Sequence, residues 1–277
     1  MTVRAAEGEQ PTDTHGRDSA LLVVSDLSVT YGGSFPAVKS VSFSIDSNST
    51  LALVGESGAG KTTIALAVSR LLPSDAETCG DVRLAGRSLL ALTEPELRET
   101  RRRLISIVFQ DPVGSLIPSV RVGKQIARVV AHRMNIEDRA TVRESAYRLL
   151  QDVGLENIDR VWDAYPRELS GGMCQRVMIA LALSNDPSLV IADEPLSALD
   201  AISQVSVLRL LLELQQKLQF AMLYVTHDLR VAARFEQIGV LKSGQLVDLG
   251  PRRQILDNPS SEYTRQLLAA ARTLSVA

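Results

Sequence analysis

The chain has 277 residues, 45% of them hydrophobic, and a formal net charge of −2, which is the balance of an ordinary soluble globular protein. Thirty basic residues against thirty-two acidic ones give no overall attraction for nucleic acid, and we interpret the basic run RETRRR at 98–103 as a solvated face. Two distant cysteines, Cys79 and Cys174, and three scattered histidines predict neither a disulfide framework nor a metal cluster.

The N-terminal 20 residues are polar, contain Gly and Pro, and lack the apolar core of a secretory signal. They are predicted to form a disordered tail. No apolar run approaches the roughly 18 residues that a membrane-spanning helix needs. We therefore expect a cytoplasmic protein whose ordered part begins near Leu21.

Strand and helix patterns alternate along most of the chain. Apolar, β-branched or alternating residues predict strands at 21–31, 38–50, 50–55, 104–110, 188–193 and 220–228, with hairpins around Gly86 and Gly244. Helical spacing begins at Lys61 and returns at 203–219, and it dominates 112–183, where buried-strand patterns are absent. This order predicts an α/β fold with a largely parallel sheet, an N-terminal antiparallel β region and an inserted helical subdomain.

The run GESGAGKT at 55–62 follows the apolar strand 50–55 and opens the helix at Lys61. Glycines let the backbone wrap phosphates with its N–H groups, Lys61 reaches the β- and γ-phosphates, and the Thr62 hydroxyl holds Mg²⁺. A chance glycine-rich loop is the alternative, which the strand–loop–helix context disfavours. The predicted ATP-binding residues here are Gly55, Glu56, Ser57, Gly58, Ala59, Gly60, Lys61, Thr62 and Thr63.

Two carboxylates, Asp193 and Glu194, end the apolar run SLVIADEP. At the carboxyl edge of a parallel sheet both would face the crevice beside the phosphate loop. Asp193 is the predicted Mg²⁺ ligand, and Glu194 is predicted to orient and polarise the attacking water. The alternative is that both simply cap the next helix.

Three further residues at strand ends are candidates. Gln110 would contact Mg²⁺ and the attacking water, although a glutamine at a strand end is more often just solvated. His227 would donate to the γ-phosphate and hold Glu194 and the water in place, whereas a lone histidine is usually a satisfied core residue. Tyr31 would stack on adenine, or else pack against its own hairpin.

A second anion cradle occurs more than a hundred residues after the phosphate loop, in ELSGGMCQR at 168–176. A serine and two glycines at the start of a helix present free backbone N–H groups and the positive end of the helix dipole. The predicted phosphate-contacting residues are Ser170, Gly171, Gly172 and Met173. The phosphate that this cradle serves is not evident from the spacing alone.

The order of the motifs along the chain resembles that of the ATP-binding subunit of an ABC transporter. These motifs are the phosphate loop, Gln110, LSGG, DEP, SALD at 197–200 and His227. The resemblance implies that two such ATPase domains pack head to tail, so that the LSGG segment of one covers the γ-phosphate bound by the other. Each motif occurs once in this chain, which is thereby expected to supply half of the sandwich, with Asp200 at the dimer seam. The expected ligands are ATP and Mg²⁺.

Finer features are similar to the ATPases of the oligopeptide, dipeptide and nickel permeases, among them Met173 in the signature and the tail PSSEYTRQLL at 259–268. The resemblance implies domains at 21–250, with the helical subdomain at about 112–183, and a permease-type tail at 251–277. It implies two membrane-spanning permease subunits, a second ATPase subunit that is homologous or identical, and an external substrate-binding protein. The chain is then expected at the cytoplasmic face of the cell membrane, importing peptides or, alternatively, nickel or a metal chelate.

Three positions depart from the family pattern, namely Cys174 in place of Arg, Ile117 in place of Asn and Leu196 in place of Thr. The exchange at Cys174 removes a charge beside the cradle, which we expect to weaken the pairing or tune it to one partner. Two other classes of function stay open from the sequence: a soluble ABC-type ATPase acting on DNA or ribosomes, and a small-molecule kinase. The kinase would have no use for LSGG or His227.

Overall fold

The computed structural model describes residues 20–274, with side chains described through residue 271. The predicted disordered tail therefore lies outside the described residues, except for Ala20. Within the described part, no helix combines the length and the apolar character needed to cross a membrane.

The N-terminal strands form a four-stranded antiparallel sheet in the order β2-β1-β4-β5. Its strands are β1 (Ala20–Tyr31), β2 (Phe35–Asp46), β4 (Ala76–Leu84) and β5 (Arg87–Ser88). Alternate side chains of β2 are buried, as expected for a strand with one face on the core. The predicted antiparallel region and the hairpin turn at Gly86, with φ of 77°, are confirmed.

The second sheet has six strands in the order β10-β9-β3-β8-β7-β6. The strands are β3 (Thr50–Val54), β6 (Ile105–Val108), β7 (Leu189–Asp193), β8 (Ala221–Thr226), β9 (Gln237–Lys242) and β10 (Gln245–Pro251). All neighbours from β9 to β6 are parallel, and β10 pairs with β9 as a hairpin around Gly244. Every residue of β3 and β8 is buried, because helices or strands cover both faces. The carboxyl ends of β3, β6, β7 and β8 therefore meet at one edge.

Ten α-helices connect and flank these strands in the described residues. They are α1 (Lys61–Ser69), α2 (Glu94–Leu104), α3 (Val122–Met134), α4 (Arg139–Asp152), α5 (Ile158–Asp163), α6 (Gly171–Leu183), α7 (Ala201–Leu218), α8 (Leu229–Ala232), α9 (Arg252–Asp257) and α10 (Glu262–Leu274). A short 3₁₀ turn at Pro166–Glu168 precedes α6. The predicted helix starts at Lys61 and after Ser170 are both confirmed.

Regular structure between residues 112 and 183 is helical throughout, as the apolar spacing predicts. Trp162 packs directly on Gly123 of α3, where an added Cβ would lie 2.1 Å from the indole ring. Tyr147 of α4 lies 4.9 Å from the same ring, between centroids. These contacts explain how the helices of this segment pack together, while its boundaries as a subdomain stay a prediction.

The arginines of the basic run lie on α2 and pair with two glutamates of the same helix. Glu94 accepts from Arg98 and Arg101, and Glu99 pairs with Arg102 and Arg103. The run is thus an ion-paired, solvated helix face, as expected.

The strand predicted to end at Gln110 ends at Val108 instead. Its last pair with β7 joins Val108 to Ala192, and the chain then leaves the sheet. The cause is an Asx turn in which the Asp111 carboxylate accepts from the backbone N–H groups of Val113 and Gly114. Gln110 is consequently an exposed loop residue beside the sheet edge.

The buried carboxylate of Asp248 on β10 fastens the C-terminal helix to the sheet. It accepts from the N–H groups of Ser260 and Ser261, at 3.1 and 3.0 Å, and from the Thr264 hydroxyl. Burial alone would raise the pKa of Asp248, but these hydrogen bonds outweigh it and hold the pKa below its ordinary value. The ionised carboxylate therefore stabilises the fold.

We expect Asp248→Asn to lower the free energy of unfolding at neutral pH by about 1–3 kcal/mol, because an amide cannot accept from all three donors. Since the native pKa is depressed, this contribution is present above the ordinary value near 3.9 and disappears as the pH falls through the native pKa. Urea unfolding should show the same gap to the unmodified chain at pH 7 and 5, narrowing below about pH 4. Asp257→Asn, at an exposed position, is the control and should show no gap.

Candidate active site

The phosphate loop (residues 55–62) lies between the buried end of β3 and the start of α1, as predicted. Its glycines are required by close backbone approaches. An added Cβ at Gly55 would lie 2.3 Å from the Leu241 carbonyl oxygen, and one at Gly60 would lie 2.5 Å from that of Ala37. Gly60 also has φ of 101°, which side chains rarely adopt. The loop is therefore held against β2 and β9 by contacts that exclude side chains.

The Lys61 ammonium is 4% exposed and points back into this loop. Its Nζ donates to the carbonyl oxygens of Gly55 and Glu56, at 2.9 and 2.8 Å, and lies 3.9 Å from Glu194 Oε1. Burial lowers the pKa of Lys61, against the opposing charges of Glu194 and Asp193. A buried cation surrounded by backbone dipoles is stabilised by an incoming anion, which suits the loop to phosphate.

Asp193, at the end of β7, contacts the first turn of α1. Its Oδ1 accepts a hydrogen bond of 3.1 Å from the Thr62 hydroxyl. Burial raises the pKa of Asp193 despite this hydrogen bond, and the charge of Glu194 adds to the rise. A partly buried carboxylate and a hydroxyl are hard oxygen ligands that gain from a divalent cation, so this pair fits Mg²⁺. No group of three or more His, Cys, Asp or Glu side chains arranged around a metal occurs in residues 20–274.

Glu194 and His227 form a direct pair across the ends of β7 and β8. His227 Nδ1 lies 3.0 Å from Glu194 Oε2. Glu194 has φ of 44°, in the left-handed region, and its backbone N–H donates to the Val225 carbonyl at 3.0 Å. Such a conformation costs a non-glycine residue about 1–3 kcal/mol and is found mostly at functional sites. The strained backbone aims the carboxylate at both Lys61 and His227.

Tyr31, at the end of β1, is the predicted adenine contact. Its hydroxyl donates to Thr63 Oγ1 at 3.4 Å, which places its ring beside the first turn of α1. Gln110 follows the carboxyl end of β6, and no hydrogen bond or ion pair in the described residues joins it to Asp193, Thr62 or Glu194. Its predicted role with Mg²⁺ and water stays a prediction.

The signature segment (residues 169–173) starts α6. Ser170 caps the helix and its Oγ accepts from the Met173 N–H at 3.3 Å. Gly171 and Gly172 lie against Leu199 and Ser203, where added Cβ atoms would be 3.7 Å from those side chains. In the part of the chain that the structure describes, no hydrogen bond or ion pair connects this segment with the phosphate loop. The cradle lies instead against Leu199 and Ser203, and the phosphate that it binds stays a prediction.

Cys174 lies inside α6 and does not face the outside of the cradle. It is fully buried, and its thiol donates to the Pro166 carbonyl at 3.2 Å, tying α6 to the preceding 3₁₀ turn. Burial raises the pKa of this thiol. Of the other two departures, Leu196 is buried and Ile117 is half exposed. The effect on pairing that we expect from Cys174 would thus act through the packing of the helix start.

Sequence reasoning overlooked two features of the site. The left-handed backbone at Glu194 has no signature in the sequence, because the residue is not a glycine or asparagine. Asp228 caps α8 through the Arg230 N–H at 2.8 Å and pairs with the Arg230 side chain, which fixes the turn that carries His227. An aspartate directly before a helical run is the signal that would have identified it.

Gly60→Ala should weaken ATP binding by about tenfold or more, because the methyl group meets the Ala37 carbonyl and displaces the loop. Gly58→Ala is the matched control, since Gly58 also has positive φ, 77°, but nothing lies within 4 Å of an added Cβ. Gly58→Ala should therefore weaken ATP binding less than Gly60→Ala, through the backbone conformation alone. ATP affinity is measured by calorimetric titration. Equal losses of affinity in the two variants would contradict a role for the close packing of Gly60 against the Ala37 carbonyl.

The matches to known proteins agree with this geometry. Residues 38–197 match the ABC transporter family. The chain is 39% identical over 264 residues to the oligopeptide transport ATP-binding protein OppD of Bacillus subtilis (strain 168), covering 93% of this chain and 74% of that protein. It is 38% identical over 262 residues to the dipeptide transport ATP-binding protein DppD of Lactococcus lactis subsp. cremoris (strain MG1363), covering 93% and 75%.

Solved structures agree on the fold. The ATP-binding cassette MJ0796, in a dimeric post-hydrolysis state bound to ADP and Pi, superimposes with a TM-score of 0.73 at 28% identity, covering 84% of this chain and 99% of that one. The cbiO1 protein of Clostridium perfringens superimposes with a TM-score of 0.75 at 24% identity, covering 93% and 98%. Family, fold and site together show that the chain belongs to the ABC transporter family as an ATP-binding, ATP-hydrolysing subunit.

Proposed function

We propose that this chain powers an importer of di- and oligopeptides by hydrolysing ATP in a head-to-tail pair of ATPase subunits. One observation supports the pairing: in residues 20–274, no hydrogen bond or ion pair joins the signature segment to the phosphate loop of its own chain. We infer that the ligand of this cradle belongs to a second subunit. The ATP-binding cassette MJ0796 is dimeric in its post-hydrolysis state bound to ADP and Pi, which is consistent with a pair of subunits.

In this proposal the phosphate loop holds the β- and γ-phosphates, and Lys61 leaves the carbonyl groups of Gly55 and Glu56 to bind them. Mg²⁺, held by Thr62 and Asp193 with Gln110 at its edge, would neutralise charge on the phosphates. Glu194 orients the attacking water, and His227, 3.0 Å from it, keeps the carboxylate in place and donates to the γ-phosphate. Tyr31 stacks on adenine.

The partner's Ser170 and the N–H groups of its helix start close the other side of the γ-phosphate. Bringing these groups together is mostly positioning and charge neutralisation, which accounts for most catalysis of phosphoryl transfer. Closure of the pair would move two membrane-spanning permease subunits docked near Gln110 and the helical subdomain. The chain would then act at the cytoplasmic face of the membrane, and an external binding protein would deliver the substrate.

Peptide is the proposed substrate because the relatives named above are oligopeptide and dipeptide transport proteins. Nickel or a metal chelate is the second candidate, carried by the sequence resemblance alone. A function on DNA or ribosomes has less support, since the exposed basic run on α2 is neutralised by its own glutamates.

Glu194→Gln should trap the ATP-bound pair, because the amide keeps the contacts of the carboxylate but cannot polarise water. We expect hydrolysis to fall by about 10²–10⁴-fold while ATP binding is retained. Light scattering with saturating MgATP should then show tightening of this chain with itself or with its natural partner in the purified complex. Absence of tightening in both settings would refute the sandwich.

The substrate is tested on the complex isolated from membranes through a tag on this chain. The proposal expects copurifying permease subunits and ATP turnover that rises when the cognate binding protein is loaded with peptides. Stimulation by Ni²⁺ and not by peptides would select the second candidate. Copurification with ribosomes or nucleic acid in place of membrane proteins would reject the transporter assignment altogether.

A further inference from the structure

The C-terminal tail is a sequence motif that the proposed catalytic mechanism does not use. Its helix α10 packs against β10 and against α8, the short helix that follows His227. Asp248 anchors the start of α10 through three hydrogen bonds from Ser260, Ser261 and Thr264. The tail is thus fixed to the β9–β10 hairpin by buried polar contacts as well as by apolar packing.

The same hairpin supports the phosphate loop at two points. The Gly244 N–H at its turn donates to the Ala59 carbonyl at 3.0 Å. At the end of β9, the Leu241 carbonyl lies so near Gly55 that a Cβ there would be 2.3 Å away. A displacement of the hairpin would therefore be transmitted to both ends of the loop.

Tyr263 of α10 is the residue that extends from the tail toward the loop. The ammonium of Lys242, the last residue of β9, lies 4.6 Å from the centre of its ring. Its hydroxyl is buried and has no hydrogen bond of regular geometry among the described residues. Burial first, and the neighbouring Glu56 carboxylate second, raise the pKa of this hydroxyl, so it stays a protonated donor beside Glu56.

Glu56 is also one of the two residues whose carbonyl oxygens hold Lys61. When phosphate draws the Lys61 ammonium away, Glu56 loses that donor. A buried hydroxyl without a regular hydrogen bond is destabilising, and moving it into hydrogen bonding with Glu56 relieves that destabilisation. The loop therefore loses one contact at the Glu56 carbonyl when phosphate binds, and the Tyr263 hydroxyl is placed to supply another at the Glu56 carboxylate.

We propose that Tyr263 is a positioning residue for ATP binding, whose hydroxyl holds Glu56 and thereby fixes the phosphate loop in its phosphate-accepting form. The tail thus becomes a functional part of the nucleotide site, acting through Glu56 and not through contact with ATP. This inference rests on the assignment of residues 55–62 as the phosphate loop.

The test measures the Kd for MgATP of the purified full chain by calorimetric titration. Tyr263→Phe keeps the ring on Lys242 and removes the hydroxyl, so Kd should rise about three- to tenfold, the range for one lost hydrogen bond. The thermal midpoint should stay close to that of the unmodified chain. Tyr147→Phe is the matched control, a partly buried tyrosine of α4 whose hydroxyl bonds to Asp159 and Arg143, and it should leave Kd unchanged.

A double-mutant cycle separates positioning from general stability. If Tyr263 acts through Glu56, then Glu56→Gln combined with Tyr263→Phe should weaken binding less than the product of the single effects. An unchanged Kd in Tyr263→Phe, or strictly multiplicative effects in the cycle, would overturn the inference. Lys61→Ala identifies a different failure: if it binds ATP as tightly as the unmodified chain, the loop assignment itself is wrong.

Discussion

A lysine ammonium buried at the carboxyl edge of a parallel sheet is the constraint on which the site depends. Lys61 is removed from water, and its charge is balanced by two carbonyl dipoles, by Glu194 at 3.9 Å and by the nearby charge of Asp193. Burial lowers its pKa, so the loop gains when phosphate supplies the missing negative charge. Glycine is required at 55 and 60 because the loop lies so close to the carbonyl groups of Leu241 and Ala37 that a Cβ atom would clash with them.

The other charged groups of the site complement this cation. Asp193 is a partly buried carboxylate with a raised pKa beside a hydroxyl, and it gains from a divalent ion. Glu194 sits on a strained backbone that holds it between Lys61 and His227. Binding of a nucleotide, a metal ion or water would stabilise each of these charged groups. In the proposed pair, the N–H groups of the signature segment would bind the nucleotide of a second subunit.

Much of this arrangement could be predicted from the sequence. A continuous apolar run that stops in glycine marks β3, and helical spacing marks the segment between residues 112 and 183. The phosphate loop, Asp193, Glu194 and His227 all follow buried strands of one sheet, and the carboxyl ends of parallel strands share an edge. Local pattern and topology therefore suffice to bring these residues together.

The remaining features have two causes: a local turn that competes with the predicted strand or helix surface, and contacts between segments far apart in the sequence. β6 ends before Gln110 because the Asp111 side chain folds the chain into a turn, which competes with strand extension. The left-handed Glu194 is imposed by its bond to Val225 on the neighbouring strand. Cys174 turns inward to Pro166, and Tyr263 meets a loop two hundred residues earlier in the chain. The contacts of Glu194 with Val225 and of Tyr263 with the phosphate loop become apparent only in the folded structure.

The central claim is that Ser170 serves a nucleotide held by another subunit. It is tested most directly by comparing two quantities in Ser170→Arg: the Kd of the isolated chain for ATP, and the turnover of the purified membrane complex. The account predicts an unchanged Kd, since Ser170 has no hydrogen bond with its own phosphate loop. It also predicts a turnover reduced by about 10²-fold or more at each site that Ser170 completes. Unchanged turnover, or a loss of ATP binding by the isolated chain, would contradict it.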